Sequence, residues 1–250
     1  MRAKRARAVL PHLLPILLFL AVWQIASCFT SPLVLPSVTA VARRLLEIVT
    51  DDSFLPIVGT TLSRLLLGLG IGVLLGTVIG LLCGMVSSVE TMLSPFIGML
   101  QAMPPVCWVV LALVWFGFNG KPCIFIVATA TIPTMVINLS SGIRHVDPEL
   151  VEMARLFHFS RSKVLRHVLL PSVEPYFRSA LEIVIGTGWK LVVMGEVLTT
   201  SSGIGGAIMD ARLNIEPDSI IAWGMLLVFS CYLTQKLLRR LARKKEVPAC

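Results

Sequence analysis

The chain has 250 residues, 56% hydrophobic and only 14% charged, with a formal net charge of +8. A soluble domain carries roughly 25% charged residues, so the composition excludes an ordinary soluble enzyme and points to an integral membrane protein. Nucleic acid is not the implied partner of the positive charge, because the basic residues gather at the chain ends and in one internal stretch, as membrane topology requires.

A first span is expected over about 9–29, after the basic MRAKRARA. At ~1.5 Å per residue, ~20 residues cross a ~30 Å hydrocarbon core. The IASC string ending at Cys28 resembles a lipoprotein cleavage box, but the apolar run is long for a signal peptide and more spans follow, so it reads as an anchor helix. Residues 36–52 include VTAVARRLLEIV, with apolar residues at helical spacing and charges opposite, which predicts an amphipathic helix lying at the membrane surface.

The second span is expected over 57–86. It carries Gly68, Gly72, Gly76, Gly80 and Gly84, each four apart. Such a stripe drifts only ~40° per step, leaving a groove where another helix backbone approaches closely. A third span, 94–118, is interrupted by Met103-Pro104-Pro105, and a fourth, 122–141, contains Pro133.

Residues 144–171, RHVDPELVEMARLFHFSRSKVLRHVLLP, form a charged island between apolar stretches. Asp147 is placed to cap a helix, Pro148 suits its first position and Glu149 opposes the positive end of its dipole. The pattern breaks near His158-Phe159-Ser160. A second helix is expected to start at Ser160 or Ser162 and to end at Pro171. Two short bent helices outside the bilayer make either a protein-docking knob or a pair resting on lipid headgroups, and the pattern alone does not choose.

A fifth span is expected over 175–198, then a Gly/Ser loop, TTSSGIGGAI, and a sixth span over 220–238. Six spans put both termini on one side. That side then holds 16 of the 22 Lys and Arg residues, in the two tails and the island with its borders. Arg43, Arg44, Lys121 and Arg212 lie opposite, and Arg64 and Lys190 fall inside spans. The positive-inside rule makes the tails and the island cytoplasmic. The whole chain, 1–250, reads as one all-α, polytopic membrane domain.

The six cysteines form no CxxC pair, and most lie in apolar runs; they read as buried, inert thiols. No metal site, cofactor site or catalytic constellation is evident. No GxxxxGK[ST] phosphate loop occurs either; GFNGKP at 117–122 has the wrong spacing. Charges inside spans should face a cavity or a partner. Glu182 and Glu196 are 14 residues apart, ~40° on a helical wheel, and form a candidate solute path with Lys190. Lys190 either neutralises a structural group in the bundle or lines the path of an anionic solute.

The island resembles the EAA loop of binding-protein-dependent ABC importer permeases: E-A-A, three residues, G, nine residues, I-x-L-P. It supplies Glu152-Met153-Ala154, His158 at the glycine position and Val168-Leu169-Leu170-Pro171, with Met153 replacing alanine and His158 replacing glycine. PPVCWVVLALVWFG (104–117), VDPELVEMAR (146–155), and GWKLVVMGEVL with SSGIGGAI (188–208) are similar to the nitrate/sulfonate/taurine branch of that family. The likeness covers roughly 60–240 in order. It implies a permease subunit in a bacterial plasma membrane, paired with a second permease subunit as a homodimer. It implies cytoplasmic ABC ATPase subunits and an extracytoplasmic solute-binding protein as partners. It further implies an ATPase-coupling role for Glu152, Ala154, Arg155, His158, Leu170 and Pro171, and a small anionic solute. A secondary transporter or channel without an ATPase would call for inverted repeats, and the glycine stripe has no counterpart in the second half; a membrane scaffold is the third reading.

Overall fold

The computed structural model describes residues 2–243, with side chains over 14–240 except those of Val151, Arg155, Arg161 and Ser162. The side chains of the basic tail residues before Leu14 and after Arg240, the side chain of Arg155 and all of Cys250 thus lie outside the described residues. Among the described residues all regular structure is helical.

Helix α1 (Arg2–Cys28) leads through a short turn to α2 (Val38–Thr50). The Ser37 hydroxyl starts α2 by accepting the Ala40 N–H. Trp23 and Gln24 bind the end of α1 to that turn through the Pro36 carbonyl and the Val38 N–H. Val41 on α2 is buried, and Arg44 reaches Glu216 at 2.9 Å and the Ser219 hydroxyl at 2.7 Å. The surface helix is therefore strapped to the start of the last helix.

Helices α3 (Phe54–Met85) and α6 (Lys121–Arg144) make the centre of the bundle. The glycine stripe of α3 faces α6 along its whole length. A methyl group at Gly68, Gly72 or Gly76 would lie 2.7, 2.5 or 2.6 Å from the Cβ of Val127, Thr131 or Met135, one at Gly84 2.7 Å from Ile143, and one at Gly80 3.0 Å from the Val136 backbone. Leu66, Leu67, Leu74 and Leu75 on the other side of α3 are exposed. Glycine inward and leucine outward reverses the pattern of a soluble helix. Lipid is as apolar as leucine, so close backbone packing rather than water exclusion selects the buried face.

Between them come α4 (Ser87–Ala102) and α5 (Pro105–Phe116), which meet at 96°. The span expected over 94–118 is thus not one straight helix. Pro104 and Pro105 donate no N–H, and Met103 before them is extended at φ −72°, ψ 125°.

The island forms α7 (Pro148–Leu156) and α8 (Arg161–Val164). Pro171 does not end the second helix, contrary to expectation. The chain widens into a π-turn at Leu165–Leu169 and continues directly into α9 (Leu170–Thr199). The Leu170 N–H closes the wide turn on the Leu165 carbonyl, so the Pro171 ring escapes the carbonyl four residues back that an α-turn would press against it. The Gly/Ser segment also differs from a loop: α10 (Gly203–Leu213) starts within it, before α11 (Pro217–Arg243) completes the chain.

By length and composition α3, α6 and residues 217–240 of α11 qualify as membrane spans among the described residues, and α4 and α5 qualify only taken together, as one broken span or a re-entrant loop; residues 14–28 are apolar but shorter. Helix α9 has 30 residues, enough to cross, but carries Glu174, Arg178, Glu182, Lys190 and Glu196. Two of the cysteines read as buried, Cys28 and Cys107, are exposed on the helix exterior, whereas Cys83 and Cys123 are buried.

Candidate coupling loop and translocation cavity

The island is built by caps. Asp147 accepts the Glu149 N–H at 2.9 Å on its carboxylate, so α7 begins where Pro148 needs no donor of its own. At the other end His158 is left-handed, with φ 53°. The Phe159 N–H then turns back onto the Ala154 carbonyl at 2.9 Å, the closing bond of a Schellman cap, in which the left-handed residue is usually glycine. Histidine thus occupies the conformation for which the family pattern uses glycine.

Ala154 is buried, while Glu152, His158, Leu170 and Pro171 are exposed. Around them the island shows bare apolar side chains, Leu156 at 79% and Phe157 at 70% exposure among them, beside Leu150, Met153 and Phe159. Arg144 pairs with Glu90 at 2.6 Å, and His145 stacks on Tyr176 at 6.0 Å. These contacts tie α4, α6 and α9 together at the island end, so the knob stands on a braced base.

A cavity of about 540 Å³ opens beside the break between α4 and α5, walled by α6 and α9. Lys190 lines it together with Gln101, Trp108, Pro133, Thr134 and Thr187, and no acidic side chain among the described residues does. Lys190 is exposed there and makes no ion pair among the described residues. An ammonium near the middle of a span is costly in lipid. The Met103–Pro105 break interrupts the helices beside this charge, and Pro133 of the unbroken α6 lines the same cavity; irregular backbone within a span belongs beside a cavity.

Glu196 and Glu182 are placed elsewhere. Glu196 is fully buried and accepts three bonds: from Arg64 at 2.7 Å, the Thr61 hydroxyl at 2.8 Å and the Gly205 N–H at 3.0 Å. Arg64 also donates to the Ser202 carbonyl and hydroxyl, and the Thr61 oxygen accepts the Ile204 N–H at 2.8 Å. The first free amides of α10 are therefore capped by side chains of α3 and α9. Glycine is required at Gly203, whose φ is +86°, and at Gly205, where a methyl group would overlap the Glu196 Cβ. Glu182 pairs with Arg239 of α11 at 3.0 Å. The two acids expected to share a path with Lys190 are thus committed to separate structural partners, and neither lines the cavity. The sequence signalled Arg64 and Glu196 as charges inside spans. It gave no sign of Thr61, Ser202 or Trp108, which are ordinary residues until the fold brings them together.

Glycine-packed apolar helices, a braced knob beyond them and a cation-bearing cavity among them define a membrane transport subunit. The chain belongs to the family of binding-protein-dependent transport system inner membrane components, whose pattern matches residues 72–247. It is 33% identical over 215 residues to the putative aliphatic sulfonates transport permease protein SsuC of Escherichia coli (strain K12), covering 85% of this chain and 81% of that one. It is 30% identical over 227 residues to the protein of the same description from Bacillus subtilis (strain 168), covering 90% and 82%. A chain in the crystal structure of a bacterial alginate ABC transporter, in complex with an alginate pentasaccharide-bound periplasmic protein, shares the fold with a TM-score of 0.66 at 15% identity, over 96% of each chain. The protein is a permease subunit of an ABC importer.

Proposed function

We propose that this permease carries a small organic anion, with a sulfonate as the leading candidate, along a path that includes the Lys190 cavity. The observation that supports this reading is the Lys190 ammonium, without an ion pair among the described residues, in a cavity that none of their acidic side chains lines. The similar permeases described for aliphatic sulfonates support the solute class.

In this reading six spans place both tails and the island in the cytoplasm, following the distribution of basic residues. The chain carries no phosphate-binding loop, so energy enters from separate ABC ATPase subunits, which grip the island. Leu156, Phe157 and Phe159 supply the apolar contact, Glu152, Arg155 and His158 the polar one, and Leu170 and Pro171 lead into α9. The π-turn joins knob to span without a slack linker, so a push on α7 and α8 is passed to the helix that carries Lys190. A second copy of the permease completes the path, and an extracytoplasmic binding protein delivers the solute. ATP shifts the population between inward- and outward-open states because the two states contact the ATPase differently.

The test is ATP-dependent uptake of radiolabelled butane-1-sulfonate by proteoliposomes that contain this chain with its ATPase and binding protein. Lys190→Met is expected to cut uptake by tenfold or more while the ATPase still co-purifies. Full uptake by that variant would remove Lys190 from the path.

A further inference from the structure

The geometry points to Trp108 as a second anion donor in the Lys190 cavity, engaged when the oxyanion head of a solute enters. This rests on the reading of that cavity as the solute path. Trp108 lies in the first turn of α5, which follows directly on the proline break, and is among the residues that line the cavity. Its indole nitrogen is buried and finds no acceptor among the described residues. The contrast with Trp189 is direct, since that indole N–H donates to the Thr234 hydroxyl at 2.9 Å. A buried donor without an acceptor costs about 1–3 kcal/mol, so its acceptor comes from outside the described chain or from another state of the transport cycle.

The surroundings select what that acceptor is. The charge of the cavity is positive: the Lys190 ammonium meets no carboxylate among the described lining residues, and the Gln101 amide can donate beside it. The Thr134 and Thr187 hydroxyls donate to the Ala130 and Ile183 carbonyls, at 3.3 and 3.0 Å, so they have no proton left for a solute and offer only neutral acceptors. An anionic oxygen meets both the charge and the orphaned N–H. The remaining wall, with Leu100, Ile126 and Leu191, is apolar, and favours a short hydrocarbon body over a second charged group. The ligand class is therefore an organic oxyanion, sulfonate or carboxylate, without an ammonium. The indole packs beside Phe125, ring centres 6.2 Å apart, and its nitrogen has no solvent contact, so the ring turns toward the cavity as the oxyanion arrives. Trp108 then sets specificity in concert with Lys190.

The permease–ATPase complex, purified without binding protein and carrying indole-15N tryptophan, is titrated with butane-1-sulfonate. Trp108→Phe, which keeps the ring against Phe125, assigns the resonance. Expected are a downfield shift of the Trp108 N–H that saturates with binding, its loss in Lys190→Met, and a Kd about tenfold weaker in Trp108→Phe by calorimetry, in line with hydrogen bonds to charged groups. Taurine, in which an ammonium replaces the terminal methyl of propane-1-sulfonate, is expected to bind at least tenfold more weakly than that isostere, and butanoate to compete for the same site. A Trp108 line that stays still while sulfonate binds, or Trp108→Phe binding at wild-type strength, overturns the inference. Equal binding of taurine overturns the ligand class. If the full transporter imports sulfonate but the purified permease–ATPase complex binds none, this inference fails and the proposed function stands. If the full transporter imports no sulfonate, the proposed function fails with it.

Discussion

Glu196 and Arg64 give the sharpest energetic expectation. The carboxylate is fully buried and the Arg64 side chain is 13% exposed, so removal of either partner leaves a charge with little water. Breaking a buried pair from one side costs about 3–5 kcal/mol. Glu196→Leu also strips acceptors from the Thr61 hydroxyl and the Gly205 N–H. Arg64→Met strands the acid among those same two donors. Each single variant should therefore lose about 3–5 kcal/mol. The double variant Arg64→Met/Glu196→Leu removes both charges and leaves mainly the neutral donors unmatched, for about 2–3 kcal/mol. It should be more stable than either single variant, with a coupling energy of at least ~3 kcal/mol.

The assay is reversible unfolding of the purified chain in mixed micelles by SDS titration, followed by tryptophan fluorescence. A double variant whose loss equals the sum of the two singles would refute the clamp as a coupled unit. So would a single-variant loss under about 1 kcal/mol, the range of an exposed pair. An independent readout is hydrogen exchange at Ile204 and Gly205, whose amides are held by Thr61 and Glu196. It should accelerate in Glu196→Leu before the bundle as a whole unfolds.

Three further expectations follow from local geometry. Gly72→Leu forces a side chain into space where even a methyl group meets Thr131 at 2.5 Å and the Ala128 carbonyl at 2.9 Å; it should cost about 3 kcal/mol or more, whereas Gly70→Leu, with nothing within 4 Å, should stay within about 0.5 kcal/mol, as thermal shift in detergent will show. His158→Gly relieves a left-handed histidine worth about 1 kcal/mol, partly offset by the entropy of the unfolded chain, so exchange of the Phe159 amide should slow about two- to fivefold, while His158→Val should speed it. Pro171→Ala restores an N–H and removes the reason for the π-turn; α8 should rotate relative to α9, and ATP hydrolysis by the assembled transporter should persist while solute uptake falls.

What the sequence reveals here depends on whether a feature is periodic or convergent. The glycine stripe is visible because 4-residue spacing on one helix is a one-dimensional signal, and the fold uses all five positions against α6. The island's start at Asp147-Pro148 is legible for the same reason: a cap is local chemistry. Pro171 misled because proline normally stops a helix, and nothing in the string shows that the preceding turn can widen to i→i+5 and let the helix continue. Glu182 and Glu196 misled differently. Their wheel positions place them on similar faces of α9, but a wheel does not contain Arg239 of α11 or Arg64 of α3, 57 and 132 residues away. Once those partners claim the acids, Lys190 stands in the cavity as a cation without a carboxylate. Two intramembrane acids and one base read from sequence as a mixed polar path. The fold instead separates them into two structural locks and one cavity whose charge is positive, and that separation is the premise of the proposed anion path.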